Sequence, residues 1–200
     1  EYMKMIWEKE AENMKIDRRN FIGPNSVTLQ LHNVAQINDE YETNEINIRK
    51  NFVVTEKADG LRHLMFINNQ GRIYLISQGM NIKFTGAITK NKETFDSILD
   101  GELILHNKTN EYLNYYLIFD LYFINNYDAR GMKFIPKEND EDYEQSRYYL
   151  LRKLVNDLNA VSIVDGISES PLFISHKEFY PAVRGEDNIF DGCREILTKQ

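Results

Sequence analysis

The sequence predicts an α+β domain built on antiparallel sheets, and three observations carry that reading. Hairpin-like β patterns fill the middle of the chain, and helical patterns flank them. Two hundred residues suit one ordinary domain, or one and a part, with enough chain to bury a core. The composition is globular: 42% hydrophobic, 12% aromatic and 28% charged, outside the range of disordered chains. Residues 1–20 read as an N-terminal helix and linker, and 21–200 as the domain proper.

Within residues 1–15, Met3, Ile6, Trp7, Ala11 and Met14 recur at helical spacing between Glu and Lys, which predicts an amphipathic helix. Gly23-Pro24-Asn25 is turn chemistry, and the alternation of Val27, Leu29 and Leu31 predicts a short strand. Residues 33–50 are polar and part helical. From Asn51 the pattern turns to β: NFVVTEKADG, then LRHLMFIN, a turn at Asn68-Asn69-Gln70-Gly71, and RIYLIS. Residues 84–99 read as a loop and short helix. ILDGELIL and YYLIFDLYF follow as adjacent antiparallel strands around a turn at 107–110. Residues 137–147 are an acidic solvated segment. Residues 144–159 form a helix with Tyr148, Leu151, Leu154, Val155 and Leu158 on one stripe. SPLFISHKEFYP predicts one more strand, and 186–199 a last helix.

The charge balance narrows the function. Twenty-four Lys and Arg against 31 Asp and Glu give a formal net charge of −7. A protein that coats nucleic acid without sequence preference neutralises many phosphates with a basic surface, so that class is disfavoured while a local basic cleft is not. No apolar run approaches the roughly 20 residues a membrane-spanning helix needs, and no membrane partner is expected. A single cysteine, Cys193, leaves no disulfide framework and no cysteine-based zinc site, and fits a reducing compartment.

Four stretches carry chemistry. In Val53-Val54-Thr55-Glu56-Lys57-Ala58-Asp59-Gly60-Leu61-Arg62 a lysine follows an apolar strand, with an acid two residues on, a glycine, and an arginine suited to phosphate or sugar oxygens. A lysine can attack phosphorus only after losing its proton. An ordinary lysine amine is about 0.04% neutral at pH 7, and poising one near pKa ~7.5 takes about 4 kcal/mol from burial or neighbouring cations. Read alone, the stretch fits equally a surface Lys–Asp pair in a strand-end turn. In Leu99-Asp100-Gly101-Glu102-Leu103 two acids share one strand face, which suits a metal or hydroxyl, or a solvated hairpin edge. In Tyr116 to Phe123, Asp120 interrupts an apolar run; Phe119 could stack on a base, or simply pack the core. Lys177 sits in a short strand and could donate to a base carbonyl, or stand exposed on a buried stem.

Together, the order KADGLR, about 45 residues to DGEL, and about 17 more to the aspartate of YLIFDL resembles the covalent nucleotidyltransferase superfamily of mRNA capping enzymes and polynucleotide ligases. The resemblance implies an adenylation- or guanylylation-type, ATP-grasp-like fold. It implies Lys57 as the lysine that takes the nucleotidyl group, with Asp59, Gly60 and Arg62 binding nucleotide. Glu102 would contact ribose or metal, Phe119 would stack on the purine, Asp120 would bind metal, and Lys177 would read the base. The lead-in FIGPNSVTLQLHNV resembles the GP-x-x-V-x-L segment of guanylyltransferase domains in large DNA virus capping enzymes.

That subgroup implies GTP as substrate, Mg²⁺ or Mn²⁺ as cofactor, and the 5′ end of nascent RNA as acceptor. It also implies flanking triphosphatase and methyltransferase domains or a partner capping-enzyme subunit, and a place in the virion or host cytoplasm. The family's fourth and fifth motifs and its OB-fold would lie beyond Gln200. An ATP-dependent polynucleotide ligase segment and a noncatalytic nucleotide- or RNA-binding module are the competing expectations. One departure stands out: where many capping enzymes carry an arginine after the nucleophile hairpin, this chain has ISQGMN, with Gln78 nearest.

Overall fold

The computed structural model describes residues 2–7, 17–36, 46–136, 141–181 and 189–199. Outside them fall residues 8–15 of the predicted first helix, 137–140 of the acidic segment, and 186–188 of the predicted last helix. The chain divides into two compact units. One joins residues 1–23 with 58–176; the other joins 24–57 with 177–200.

The first unit is organised by an eight-stranded sheet. Strand β2 (Leu61–Ile67) pairs antiparallel with β3 (Arg72–Ser77) on one side and β5 (Ser97–His106) on the other. The β2–β3 turn forms where predicted because Asn68 Oδ1 accepts from the amides of Gln70 (3.0 Å) and Arg72 (2.9 Å), and Gly71 takes a positive φ of 73°. β4 (Ile82–Ile88) adds to β3, and the short β8 (Val161–Ser162) to β4. β6 (Tyr112–Ile124) adds to β5, with β7 (Tyr127–Asp128) antiparallel and β9 (Phe173–His176) parallel along different parts of it.

Both sheet faces are covered, so the central strands run apolar on successive residues rather than alternating. On one face Met65, Ile67, Leu75, Leu99, Ile118 and Leu121 pack with Leu151 and Leu154 of α3 (Arg147–Asp157). Ser146 caps that helix, its hydroxyl accepting from the Tyr149 amide at 3.3 Å. On the other face Leu64, Phe66, Ile76, Ile98 and Tyr122 pack with Tyr2 of α1 (Tyr2–Trp7) and with Phe21 and Ile22.

Two expectations change. Residues 84–99 are not mainly loop: β4 runs through Ile88, and only Lys92–Thr94 forms a helical turn. Ile82, Phe84 and Ile88 stand at alternate positions with Lys83 and Thr85 between them, a strand pattern interrupted only by Gly86. Pairing of this segment with β3, reinforced by the Thr85 hydroxyl donating to Ile73 O (2.7 Å), makes it a strand. SPLFISHKEFYP is two strands rather than one, and Lys177 lies just past β9.

In the second unit β1 (Val53–Val54) pairs antiparallel with β10 (Tyr180–Pro181). Helix α4 (Ile189–Lys199) lies against that pair. Gly192 permits the approach, since a Cβ there would stand 2.7 Å from Val54 Cγ1 and 2.9 Å from Tyr180 Cβ. Helix α2 (Leu31–Val34) is clipped to residues 46–49, where Arg49 Nε donates to Val34 O (3.0 Å) and the Ile48 amide to Asn33 O (2.9 Å). The predicted strand at 27–31 is absent: Val27 is 88% and Leu31 84% exposed, with no sheet neighbour among the described residues. No described helix is long and apolar enough to cross a membrane.

Candidate nucleotide-binding site

In the first unit the sheet register gathers three of the predicted motifs. Arg62 stands opposite Glu102 across β2–β5, and Glu102 stands opposite Leu117 on β6. Gly60 brings the KADGLR segment against β5; a Cβ there would sit 2.9 Å from the Leu103 carbonyl oxygen, so only glycine fits without a shift. Asp59 and Gly60 are exposed, and Glu102 is half-buried.

Arg62 makes the most constrained contact of the group. Its guanidinium grips the fully buried Asp100 side-on, Nε to Oδ1 at 3.1 Å and Nη2 to Oδ2 at 2.5 Å. The Tyr122 hydroxyl donates to the same Oδ2 at 2.6 Å. The guanidinium carbon lies 5.4 Å from the Phe21 ring centre and 5.7 Å from that of Phe119. The hydrogen bond to Asp100 raises the Arg62 pKa, outweighing burial. Burial, then the Asp100 charge, push the Tyr122 hydroxyl far up, so it remains a donor.

The β5–β6 ladder slips twice beside this pair. Leu99 faces Leu121 while Ile98 faces Phe123, which leaves Tyr122 as an extra residue. Asp100 faces Asp120 while Gly101 faces Ile118, which leaves Phe119 as another. Asp120 itself turns to α3: Arg147 Nε donates to its Oδ1 at 2.9 Å, as does the Leu121 amide at 2.8 Å. Burial raises the Asp120 pKa in spite of Arg147.

Lys57 and Lys177 belong to the second unit. Lys57 is exposed, three residues beyond β1. Lys177 is only 8% exposed and donates through Nζ to the Glu56 carbonyl (3.2 Å), the peptide that precedes Lys57. Thr55 Oγ1 donates to Glu178 O at 2.6 Å, fastening the same two segments together.

Among the described residues, no three His, Cys, Asp or Glu gather as a metal shell. A magnesium-type ion commonly takes one or two carboxylates and draws its other ligands from substrate phosphates and water. Glu102 suits that minimal role. Asp120 suits it less, because its Oδ1 already accepts two hydrogen bonds.

The sequence reading weighed Asp100 only as half of an acid pair, met Phe21 only within the lead-in segment, and passed over Tyr122. Asp100 left a signal, an acid sharing a strand face with Glu102. Tyr122 left none, since an extra residue in a strand is invisible without its partner strand.

Residues 3–191 match the mRNA capping enzyme catalytic-domain family. A probable mRNA-capping enzyme of Acanthamoeba polyphaga mimivirus is 30% identical over 126 residues, which is 62% of this chain. The chain spans about a tenth of that protein's length. A mycobacterial DNA ligase D complexed with ATP and MES aligns over 73% of this chain and 44% of its own, with a TM-score of 0.40 and 15% identity.

Proposed function

Because the chain belongs to the mRNA capping enzyme catalytic-domain family, we propose that it is the guanylyltransferase segment of a larger capping enzyme. Lys57 is the nucleophile in this reading. Its neutral amine attacks the α-phosphorus of GTP, a P–N bond forms, the P–O bond to the outer phosphates breaks, and pyrophosphate leaves. The terminal oxygen of a 5′-diphosphate RNA end then attacks the same phosphorus, the P–N bond breaks, and a 5′–5′ linked GMP results.

The observation that carries the proposal is the convergence of Arg62, Glu102 and Phe119 on three adjoining strands, from motifs far apart in the chain. In that assignment Arg62 and Glu102 address ribose and phosphate oxygens, Asp59 and Gly60 line the approach, and Phe119 stacks on guanine. Lys177, held at the Glu56 carbonyl, orders the backbone just before the nucleophile and contributes to base recognition. A divalent ion, Mg²⁺ or Mn²⁺, would supply charge neutralisation at the triphosphate, with Glu102 and then Asp120 as its protein ligands. Most of the rate enhancement then comes from positioning and electrostatics rather than from acid–base chemistry. Flanking triphosphatase and methyltransferase domains, and action in the virion or the infected cytoplasm, complete the proposal.

The test uses the whole parent protein with α-labelled GTP and divalent metal. The expected result is an acid-labile, alkali-stable protein–GMP band that Lys57→Ala and Lys57→Arg both abolish. A band that survives either substitution rejects Lys57 as nucleophile. Label taken from ATP instead points to a ligase, and no label from either points to a noncatalytic binding module.

A further inference from the structure

Four separate features of the first unit accommodate one guanidinium. Gly23 has no Cβ, and one built there would lie 2.5 Å from Arg62 Nη2. Phe21 and Phe119 place their rings within 6 Å of it. Asp100, fully buried, takes its side-on fork. The two extra residues of β6, Phe119 and Tyr122, are the two whose side chains reach the Arg62–Asp100 pair.

A buried ion pair is poor evidence of stabilisation, because desolvating both charges offsets most of their attraction. Two disruptions of the β5–β6 ladder also cost pairing along its length. An arrangement that spends hydrogen bonds and desolvation to fix one arginine rotamer is better explained by what the arginine must do. Free in water, an arginine side chain would have to be ordered on each binding event, at a cost in rotamer entropy.

We propose that Asp100 and Tyr122 are positioning residues for nucleotide binding, acting through Arg62. The Asp100 carboxylate fixes the plane of the guanidinium, and the Tyr122 hydroxyl fixes the carboxylate. Arg62 thereby meets ribose or phosphate oxygens already ordered. Phe21 and Gly23, from the segment before the second unit, close the other side of the same socket. The inference rests on the guanylyltransferase reading and adds to it two residues that the motif resemblance did not assign.

The experiment measures formation of the covalent GMP adduct against GTP concentration in the whole parent protein. Wild type and Lys57→Ala run first; absence of a Lys57-dependent adduct in wild type overturns the guanylyltransferase reading itself. Given that adduct, Tyr122→Phe removes one hydroxyl and leaves the ring in the core. The half-saturating GTP concentration is expected to rise about tenfold, the scale of one lost charge-assisted hydrogen bond, and more than the rate at saturation falls. In an Arg62→Ala background, Tyr122→Phe is expected to add no further change, because the two act as one unit. Asp100→Asn repeats the comparison should the first variant fold poorly, and a thermal melt checks each protein. Unchanged half-saturation with only a lower melting temperature overturns the proposal, as does multiplication of the Tyr122 and Arg62 effects.

Discussion

Gly101 lies between the two acids of the DGEL stretch, and the structure assigns it a steric role that can be measured. A Cβ at this position would stand 2.7 Å from Tyr116 Cζ, 2.8 Å from its hydroxyl oxygen and 2.8 Å from the Leu117 carbonyl oxygen. Ordinary contacts begin near 3.4 Å, so the tyrosine ring would have to retreat by about 0.7 Å. It has nowhere to go. Tyr116 is fully buried, and its hydroxyl reaches past β5 to donate to His63 O on β2 at 2.7 Å. Gly101→Ala therefore overpacks the β2–β5–β6 junction, at a cost of about 2 kcal/mol. For a protein of this size that corresponds to a drop in Tm of roughly 4–8 °C. The assay is a thermal or urea melt followed by near-UV circular dichroism, which reports the buried tyrosines. A variant that melts within a degree of wild type would refute the reasoning, since the ring crossing would then be free to yield.

Two further predictions concern ionisation. Burial, its leading cause, raises the pKa values of Tyr2, Tyr116 and Tyr122 above the usual 10.0, so of twelve tyrosines at least these three should stay neutral when exposed ones ionise. A group raised in the folded state contributes fully below its unfolded pKa and loses that contribution as pH rises, so stability should fall above pH 10; a native absorbance titration that ionises all twelve together contradicts this. Asp120 is likewise raised from 3.8, by burial first, with Arg147 opposing, so its contribution is present below that pH and declines as pH climbs through the folded value. An NMR carboxyl titration with a midpoint at or below 3.8 would show that the Arg147 pairing outweighs desolvation.

The KADGLR stretch, the DGEL strand and the Phe119 strand were all legible as motifs, because spacing and residue type survive in a linear reading. So were the β2–β3 hairpin, whose turn is set by Asn68 and Gly71, and α3, whose cap and apolar stripe lie within one segment. The strand read at 27–31 failed because alternation stabilises a strand only when a neighbour buries one face, and Val27 and Leu31 have none among the described residues. β4 was missed because a loop read from residue 84 cuts across the alternation of Ile82, Phe84 and Ile88, which Gly86 interrupts and pairing with β3 completes.

The amino-acid sequence by itself determined the α+β class and placed the candidate site motifs, since these depend on residue types at fixed intervals. Tertiary structure alone decided what holds Arg62. Its carboxylate partner is 38 residues away, and the Tyr122 hydroxyl reaches that partner only because the β5–β6 ladder slips by one residue. Likewise the Lys177 amine meets the Glu56 carbonyl across 121 residues of chain. Such contacts arise from strand register and close backbone approach, which are properties of paired segments and have no expression in either segment alone.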